Sequence, residues 1–301
     1  MSKIKSISSE LTERLNWLVS LGDLFSSYKT NKNDEFHTII KKAEIHNSWF
    51  TEKNINTSII YWQRKLKIEN LNAWISNYKI SEMPTLKIGI VMAGNFPLAG
   101  LHDLVCVIIS GNIAIVKTSR SDNILIKYLI KYIWCKFPKS KKYIFTTDIL
   151  KEFDKVIATG SNNTFKYFEY YFKKKPAILR KNRTSVAIIE NDTNNNSLGL
   201  LAKDIFTYFG LGCRNVSKLF IPIGFDLKKL IFAFEEFKQI KFHHKYLNNL
   251  NYYKTIKIMN NEKFIDSEFF LMSESKKFTP PISEIYYEFY SNKKDLIKYL
   301  K

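Results

Sequence analysis

The pattern of apolar and polar positions changes character near Pro84. Before it, Leu11, Leu15, Leu18 and Phe25 lie near one helical face, and Ile55, Ile59, Trp62 and Leu66 keep an i, i+4, i+7, i+11 spacing. Leu71, Trp74, Ile75 and Tyr78 do likewise, so the first eighty residues read as helices with aromatic packing positions. Beyond Pro84 short β-like runs alternate with helical ones. Strands are predicted at 86–92, 113–117, 155–159, 185–190, 216–222 and 284–289. Helices are predicted at 97–109, 122–135, 162–172, 200–209 and from 226 onward, with Gly111 placed to stop the first of these and 191–197 read as a polar loop. Such alternation implies an α/β fold with a doubly wound, mostly parallel sheet.

Composition narrows the picture. A chain of 301 residues, 45% hydrophobic, has ample core for one large or two modest domains, and it shows no internal repeat or low-complexity linker. Three cysteines give no disulfide framework, no secretory signal is visible, and apolar runs such as 104–109 are too short to span a bilayer. A cytoplasmic setting is expected. The net charge of +19, from 47 Lys+Arg against 28 Asp+Glu, raises the question of a nucleic-acid partner. Only six of those cations are arginine, and Asn, Ile, Phe and Tyr are abundant, as A- and T-rich codons would produce. The lysines are scattered, with Lys173-Lys174-Lys175 the densest run and no nucleic-acid-binding motif beside them, so they read as a solvated surface.

The candidate chemistry centres on Phe209-Gly210-Leu211-Gly212-Cys213-Arg214-Asn215. Two glycines allow a sharp turn between a helix-like and a strand-like segment, which would leave the Cys213 thiol near backbone N–H groups and open to substrate. A small buried residue at a tight corner is the plain alternative. Gly94-Asn95-Phe96-Pro97-Leu98 follows a strand, so the Asn95 amide could donate to an oxyanion at the sheet edge, or simply cap the next helix. Lys117 leaves a strand end where ribose hydroxyls or a phosphate could bind, and Arg120 could match a 2′-phosphate; both also suit an exposed basic surface. In Ala158-Thr159-Gly160-Ser161-Asn162-Asn163-Thr164 a strand passes into a helix, presenting N–H groups to an anion such as a pyrophosphate. Arg180-Lys181-Asn182-Arg183 could hold phosphates or form a plain surface loop. Cys106 and Cys135 read as packing residues, His102-Asp103 as a structural pair that could also reach the site, and no cluster has metal-ligand spacing.

The order of these pieces resembles the aldehyde dehydrogenase superfamily. The strings from Ala158 to Thr164 and from Phe209 to Lys218 resemble the bacterial acyl-CoA reductases related to LuxC. The resemblance implies an aldehyde-dehydrogenase-like fold. It would comprise N-terminal helices plus an NADP-binding Rossmann-like domain (1–209) and a smaller catalytic domain (210–301), shortened after Ile297. It also implies NADPH-dependent reduction of a long-chain fatty acyl-CoA to the aldehyde through an acyl-cysteine. Cys213 would be the nucleophile and Asn95 the oxyanion donor. Lys117 and Arg120 would meet the adenosine ribose or its phosphate, and Gly160 and Ser161 the pyrophosphate. A homo-oligomer and an acyl-transfer partner protein are further expectations from the resemblance, with no nucleic-acid partner. Two departures stand out. The superfamily's Glu-Leu-Gly-Gly stretch, whose glutamate activates water, corresponds to Ile178-Leu179-Arg180-Lys181-Asn182, which has no glutamate. Its Glu-x-Phe-Gly-Pro segment aligns with Lys277-Phe278-Thr279-Pro280-Pro281, with lysine in the glutamate position. A non-catalytic nucleotide- or partner-binding descendant is the alternative function.

Overall fold

The structure, a computed structural model, describes residues 9–28, 34–78, 80, 84–181 and 184–300. The chain folds as two compact units, Met1–Asn182 and Arg183–Lys301.

In the first unit the helices α1 (Ser9–Ser27), α2 (Glu35–His46), α3 (Glu52–Lys65) and α4 (Ile68–Ile75) precede β1 (Lys87–Val91). There follow α5 (Leu101–Ile109), β2 (Ile113–Lys117), α6 (Asn123–Lys136), β3 (Ile144–Thr146), β4 (Lys155–Thr159), α7 (Asn162–Phe172) and β5 (Ala177–Arg180). All four strand pairings are parallel, in the order β3-β2-β1-β4-β5. Successive strands run to one side of β1 and then to the other, so the carboxyl ends of β1 and β4 flank a topological switch point. Ile88, Ile90, Ala114 and Val116 are buried between helical layers, together with Leu18, Leu21 and Phe25 of α1 and Ile55 and Ile59 of α3. Arg14, fully buried, fastens α1 to this core. Its guanidinium donates to the carbonyls of Ile108 (3.3 Å) and Asn112 (2.8 Å) and lies 4.3 Å from the Tyr143 ring centroid.

The second unit contains β6 (Ser185–Ile188), α8 (Asn195–Phe206), β7 (Val216–Pro222), α9 (Leu227–Phe234), α10 (His244–Met259), β8 (Ile265–Asp266), β9 (Leu271–Glu274), β10 (Glu284–Tyr290) and α11 (Lys293–Leu300). Its sheet has the order β6-β7-β10-β9-β8, parallel except for the β8–β9 pair. Phe206, Phe234, Phe269 and Phe270 are buried in its core and touch one another through tilted and edge-on ring contacts.

The doubly wound, parallel α/β fold is therefore present, as two sheets. Within the second unit β6 pairs with β7, and Leu198, Ala202 and Ile205 of α8 pack with Leu219 and Ile221 of β7, so α8 shares a core with the strand that follows Cys213. Helix α8 begins at Asn195, inside the segment expected to be a loop, because Asn194 accepts the Ser197 N–H at 2.8 Å and caps the first turn. It also stops at Phe206, three residues short of the expected end. The 97–109 helix starts only at Leu101 with Gly100 in the cap position, so Asn95 does not cap it.

Candidate active site

Cys213 is exposed, in a turn between α8 and β7. The chain reaches it through three consecutive residues in the left-handed region: Tyr208 (φ 56°), Phe209 (φ 58°) and Gly210 (φ 72°). For the two aromatic residues that conformation costs about 1–3 kcal/mol each, so surrounding contacts must hold it. Phe209 supplies one, its ring centroid 4.4 Å from that of His243. The Phe209 ring also lies 5.9 Å from that of Tyr246, and the Leu211 N–H donates to the Tyr208 carbonyl at 3.0 Å. Asn215 secures the turn that follows. Its Oδ1 accepts the Gly212 N–H (2.8 Å), its own N–H donates to the Gly212 carbonyl (3.0 Å), and Nδ2 donates to the Asp204 carbonyl near the end of α8 (2.7 Å). The thiol thus projects from a turn stapled on both sides by one amide.

Strand β7, which carries the chain away from Cys213, is anchored by Lys218. This lysine is fully buried, unlike the solvated lysines expected from composition. Its Nζ donates to the Ser275 carbonyl (2.9 Å) and to Glu288 (2.5 Å) and sits 4.8 Å from the ring centroids of both Phe220 and Phe278. Ser217 Oγ donates to the Phe278 carbonyl at 3.0 Å. The 275–278 segment, which overlaps the Lys277–Pro281 string singled out in the sequence, is thereby fixed to the strand that follows the candidate nucleophile.

The other candidate residues lie at the carboxyl edge of the first unit's sheet. Val91 pairs with Lys117 and with Ala158, and Thr159 with Arg180, so Asn95, Lys117, Gly160 and Arg180 all follow or close strand ends on one edge. Lys117 and Arg120 are exposed, and the Arg120 carbonyl meets His46 Nε2 at 2.9 Å. Ser161 is the N-cap of α7: its Oγ accepts the Thr164 N–H (3.2 Å). A Cβ on Gly160 would stand 2.9 Å from the Phe168 ring and 3.0 Å from Thr164. Backbone without a side chain, followed by the capped N-terminus of an 11-residue helix, is a surface that fits a phosphate group. Lys117 and Arg120 stand exposed at the same sheet edge as this turn. Asn182 and Arg183 lie outside the described residues.

Two acidic residues stand at this edge, Asp122 and the Asp103 already singled out with His102. Asp122, 2% exposed, accepts the Leu98 N–H through Oδ2 at 2.7 Å, while Leu98 itself takes the left-handed conformation (φ 60°). Burial pushes the Asp122 carboxyl well above the usual carboxylate range, against the opposing effect of that N–H. Gly94 has no room for a side chain, since a Cβ would overlap Ser119 Oγ and Cβ. Asp103, 4% exposed, binds Arg180 Nη1 at 2.5 Å, with His102 Nδ1 3.7 Å away. Burial alone would raise the Asp103 carboxyl, but His102 and Arg180 together hold it below its ordinary range. His102 is raised to about 9 by Asp103 and then by Cys106, whose Sγ lies 3.7 Å from Nδ1. The thiols expected to pack divide: Cys106 is half-buried beside His102, whereas Cys135 is exposed, one residue before the end of α6. Among the described residues no group of three or more His, Cys, Asp and Glu side chains could hold a metal, and no helix is long and apolar enough to cross a membrane.

Comparison with known proteins accords with this architecture. No curated protein sequence matches the chain. Among solved structures, the NAD+ complex of aldehyde dehydrogenase from Bacillus cereus superimposes with a TM-score of 0.68 at 14% identity, over 99% of this chain and 71% of that one. The Mycobacterium tuberculosis aldehyde dehydrogenase complexed with NAD+ gives 0.68 at 14% identity, over 96% and 70%. Glyceraldehyde-3-phosphate dehydrogenase GapN from Methanocaldococcus jannaschii, complexed with NADP, gives 0.64 at 16%, over 96% and 73%. The fold is that of aldehyde dehydrogenases. The family model described as acyl-CoA reductase (LuxC) matches residues 70–229, more than half of the chain, from α4 through the Cys213 turn into α9. The chain belongs to the LuxC acyl-CoA reductase family.

Proposed function

We propose that the protein reduces a fatty acyl-CoA to the corresponding aldehyde with NADPH, through an acyl group carried on Cys213. The observation that carries this reading is the exposed thiol on a turn held rigid by Asn215, in a chain of this family. Cys213, as its thiolate, attacks the thioester carbonyl, and the Asn95 amide with the Cys213 N–H donates to the oxygen that becomes negative. The C–S bond to CoA breaks, and CoA leaves as its thiolate, which takes a proton from solvent. When bound, NADPH supplies the hydride that reduces the acyl carbon. Lys117 and Arg120 hold the adenosine ribose and its phosphate, and Gly160 and Ser161 meet the pyrophosphate. Asn95 steadies the same oxygen while the Cys213 sulfur departs from the aldehyde. Oxyanion donors of this type are worth about 3 kcal/mol of barrier. Absence of a glutamate in 178–182 supports reduction over hydrolysis, since nothing in that stretch activates water.

The test is turnover. Purified protein with acyl-CoA and NADPH should release CoA and aldehyde in equal amounts as NADPH is consumed, and Cys213→Ser should do none of this while still binding NADPH. An active Cys213→Ser protein would refute the assignment. A folded wild type that binds NADPH and yields no aldehyde would favour a non-catalytic descendant.

A further inference from the structure

Arg120 opens a single turn of 3-10 helix, Arg120–Asp122, between β2 and α6. The backbone of that turn is held from several sides. Ser119 Oγ accepts the Ser121 N–H at 3.3 Å, and the Asp122 N–H donates to the Ser119 carbonyl at 3.2 Å. The carbonyls of Arg120 and Ser121 are taken by the end of α2: His46 Nε2 meets the first at 2.9 Å, and Asn47 Nδ2 donates to the second at 3.2 Å. A carbonyl only accepts, so the His46 ring donates through Nε2. Neither donor is loose. His46 is the last residue of α2 and Asn47 its C-cap; the Asn47 N–H donates to the Ala43 carbonyl (3.0 Å), and its Oδ1 accepts the Trp49 N–H (3.2 Å). Phe36, buried in α2, stacks on Tyr128 of α6 with 5.4 Å between ring centroids. The helix that supplies the donors is thereby fixed to the helix that follows the turn.

We infer that His46 and Asn47 are positioning residues that set a preference for NADPH over NADH, by fixing the backbone from which Arg120 reaches the 2′-phosphate. This rests on the cofactor reading given above. All the groups involved belong to the first unit. Lys117 and Ala158 pair with Val91 from its two sides, so the Arg120 and Gly160 turns follow strands that flank β1, about 10 Å apart at the usual strand spacing. A dinucleotide with its pyrophosphate at Gly160 can lay its adenosine ribose over the end of β2. The Arg120 side chain is exposed, and among the described residues no carboxylate pairs with it or with Lys117, which leaves both cations to an anionic ligand. A guanidinium offers a phosphate paired N–H donors in a fixed plane, so its direction matters as well as its charge. The clamp on the Arg120 carbonyl supplies that direction. NADH has a hydroxyl where NADPH has the phosphate, so loosening the turn costs NADPH and spares NADH.

Fluorescence titration of the full chain with NADPH and, separately, with NADH reads the effect without turnover. Wild type should bind NADPH more tightly. His46→Ala and Asn47→Ala should each weaken NADPH binding about twofold to tenfold, the net worth of one such hydrogen bond, and leave NADH affinity unchanged. His46→Gln, which keeps a donor for the Arg120 carbonyl, should stay near wild type. Arg120→Ala should weaken NADPH binding at least as much as the clamp variants. Adding His46→Ala and Asn47→Ala to it should cost nothing more, because the clamp acts through that one side chain. Equal weakening of both cofactors in the clamp variants would make His46 and Asn47 merely structural and overturn the inference. Unchanged NADPH binding in those variants, or losses that add to that of Arg120→Ala, would overturn it as well. Wild type that binds NADPH no more tightly than NADH, or undiminished NADPH affinity in Arg120→Ala, removes the assignment of Arg120 to the 2′-phosphate and this inference together. A loss of NADPH affinity in Arg120→Ala with none in the clamp variants removes only this one.

Discussion

Asp122 accepts the Leu98 N–H at 2.7 Å, and this buried bond ties the loop after β2 to the turn that carries Asn95. Because burial raises the Asp122 carboxyl, the folded chain keeps its proton to a higher pH than the unfolded chain, where aspartate titrates near about 3.9. Above that pH the folded state binds more protons, so stability falls as pH rises until the folded carboxyl ionises. Asp122→Asn keeps an acceptor for Leu98 and cannot ionise. It should match wild type near pH 4 and exceed it at neutral pH in urea unfolding, whereas parallel pH profiles would contradict this. Asp122→Ala should lose about 1–3 kcal/mol near pH 4, because a buried N–H is left unpaired, and the deficit should shrink toward neutral pH as wild type loses stability.

Gly94 faces Ser119 across the same junction. Gly94→Ala should cost about 1–3 kcal/mol through overpacking. Ser119→Gly in the same chain should recover part of that loss, since it removes the side chain that the new methyl group meets. Thermal unfolding of the single and double variants gives the comparison, and additive destabilisation would show that the two residues do not crowd one another.

What could be read from the sequence follows from which forces acted locally. The 162–172 helix and the 113–117, 155–159 and 216–222 strands have the same bounds in sequence and structure, because apolar periodicity and flanking turn residues both mark them. The end of α8 could not be read. Tyr208 and Phe209 look like the continuation of an apolar helix, and their left-handed conformation, with Phe209 packed on His243 and Tyr246, breaks it. Strands β3 and β5 escaped notice because they are short sheet edges, with Phe145 and Ile178 exposed. Among the candidate residues, Lys117, Arg120, Gly160 and Ser161 sat in recognisable strand-to-helix strings. The pairings Asp122–Leu98 and Asp103–Arg180 depend on tertiary approach over 24 and 77 residues and leave no local mark.

His102 and Asp103 make a pH-sensitive pair. His102, raised to about 9, contributes stability that is complete below the ordinary histidine value of about 6.5 and disappears as pH rises through about 9. Asp103, held low, contributes stability present above the ordinary aspartate value and lost as pH falls through its depressed one. An NMR titration should find the His102 ring titrating near pH 9, and Asp103→Asn should bring it down toward about 6.5. A wild-type ring titrating near the ordinary value would mean that the two side chains are not coupled.

Asn215 is expected to matter through the turn it staples. Asn215→Ala removes the acceptor for Gly212 N–H and the donor to the Asp204 carbonyl, and should cost about 1–2 kcal/mol. Cys213 should remain open to iodoacetamide while aldehyde formation falls at least about tenfold, because geometry is lost and access is not. Unchanged turnover in a destabilised Asn215→Ala protein would assign Asn215 to the fold alone.

Everything proposed about catalysis requires that one sulfur take the acyl group from CoA. Intact-mass measurement after mixing the protein with acyl-CoA alone, followed by peptide mapping, reads this directly. A single acyl adduct on Cys213, discharged as aldehyde when NADPH is added, is the predicted result. An adduct on Cys106 or Cys135 with Cys213 unmodified, or aldehyde formed without any acylated protein, would contradict it.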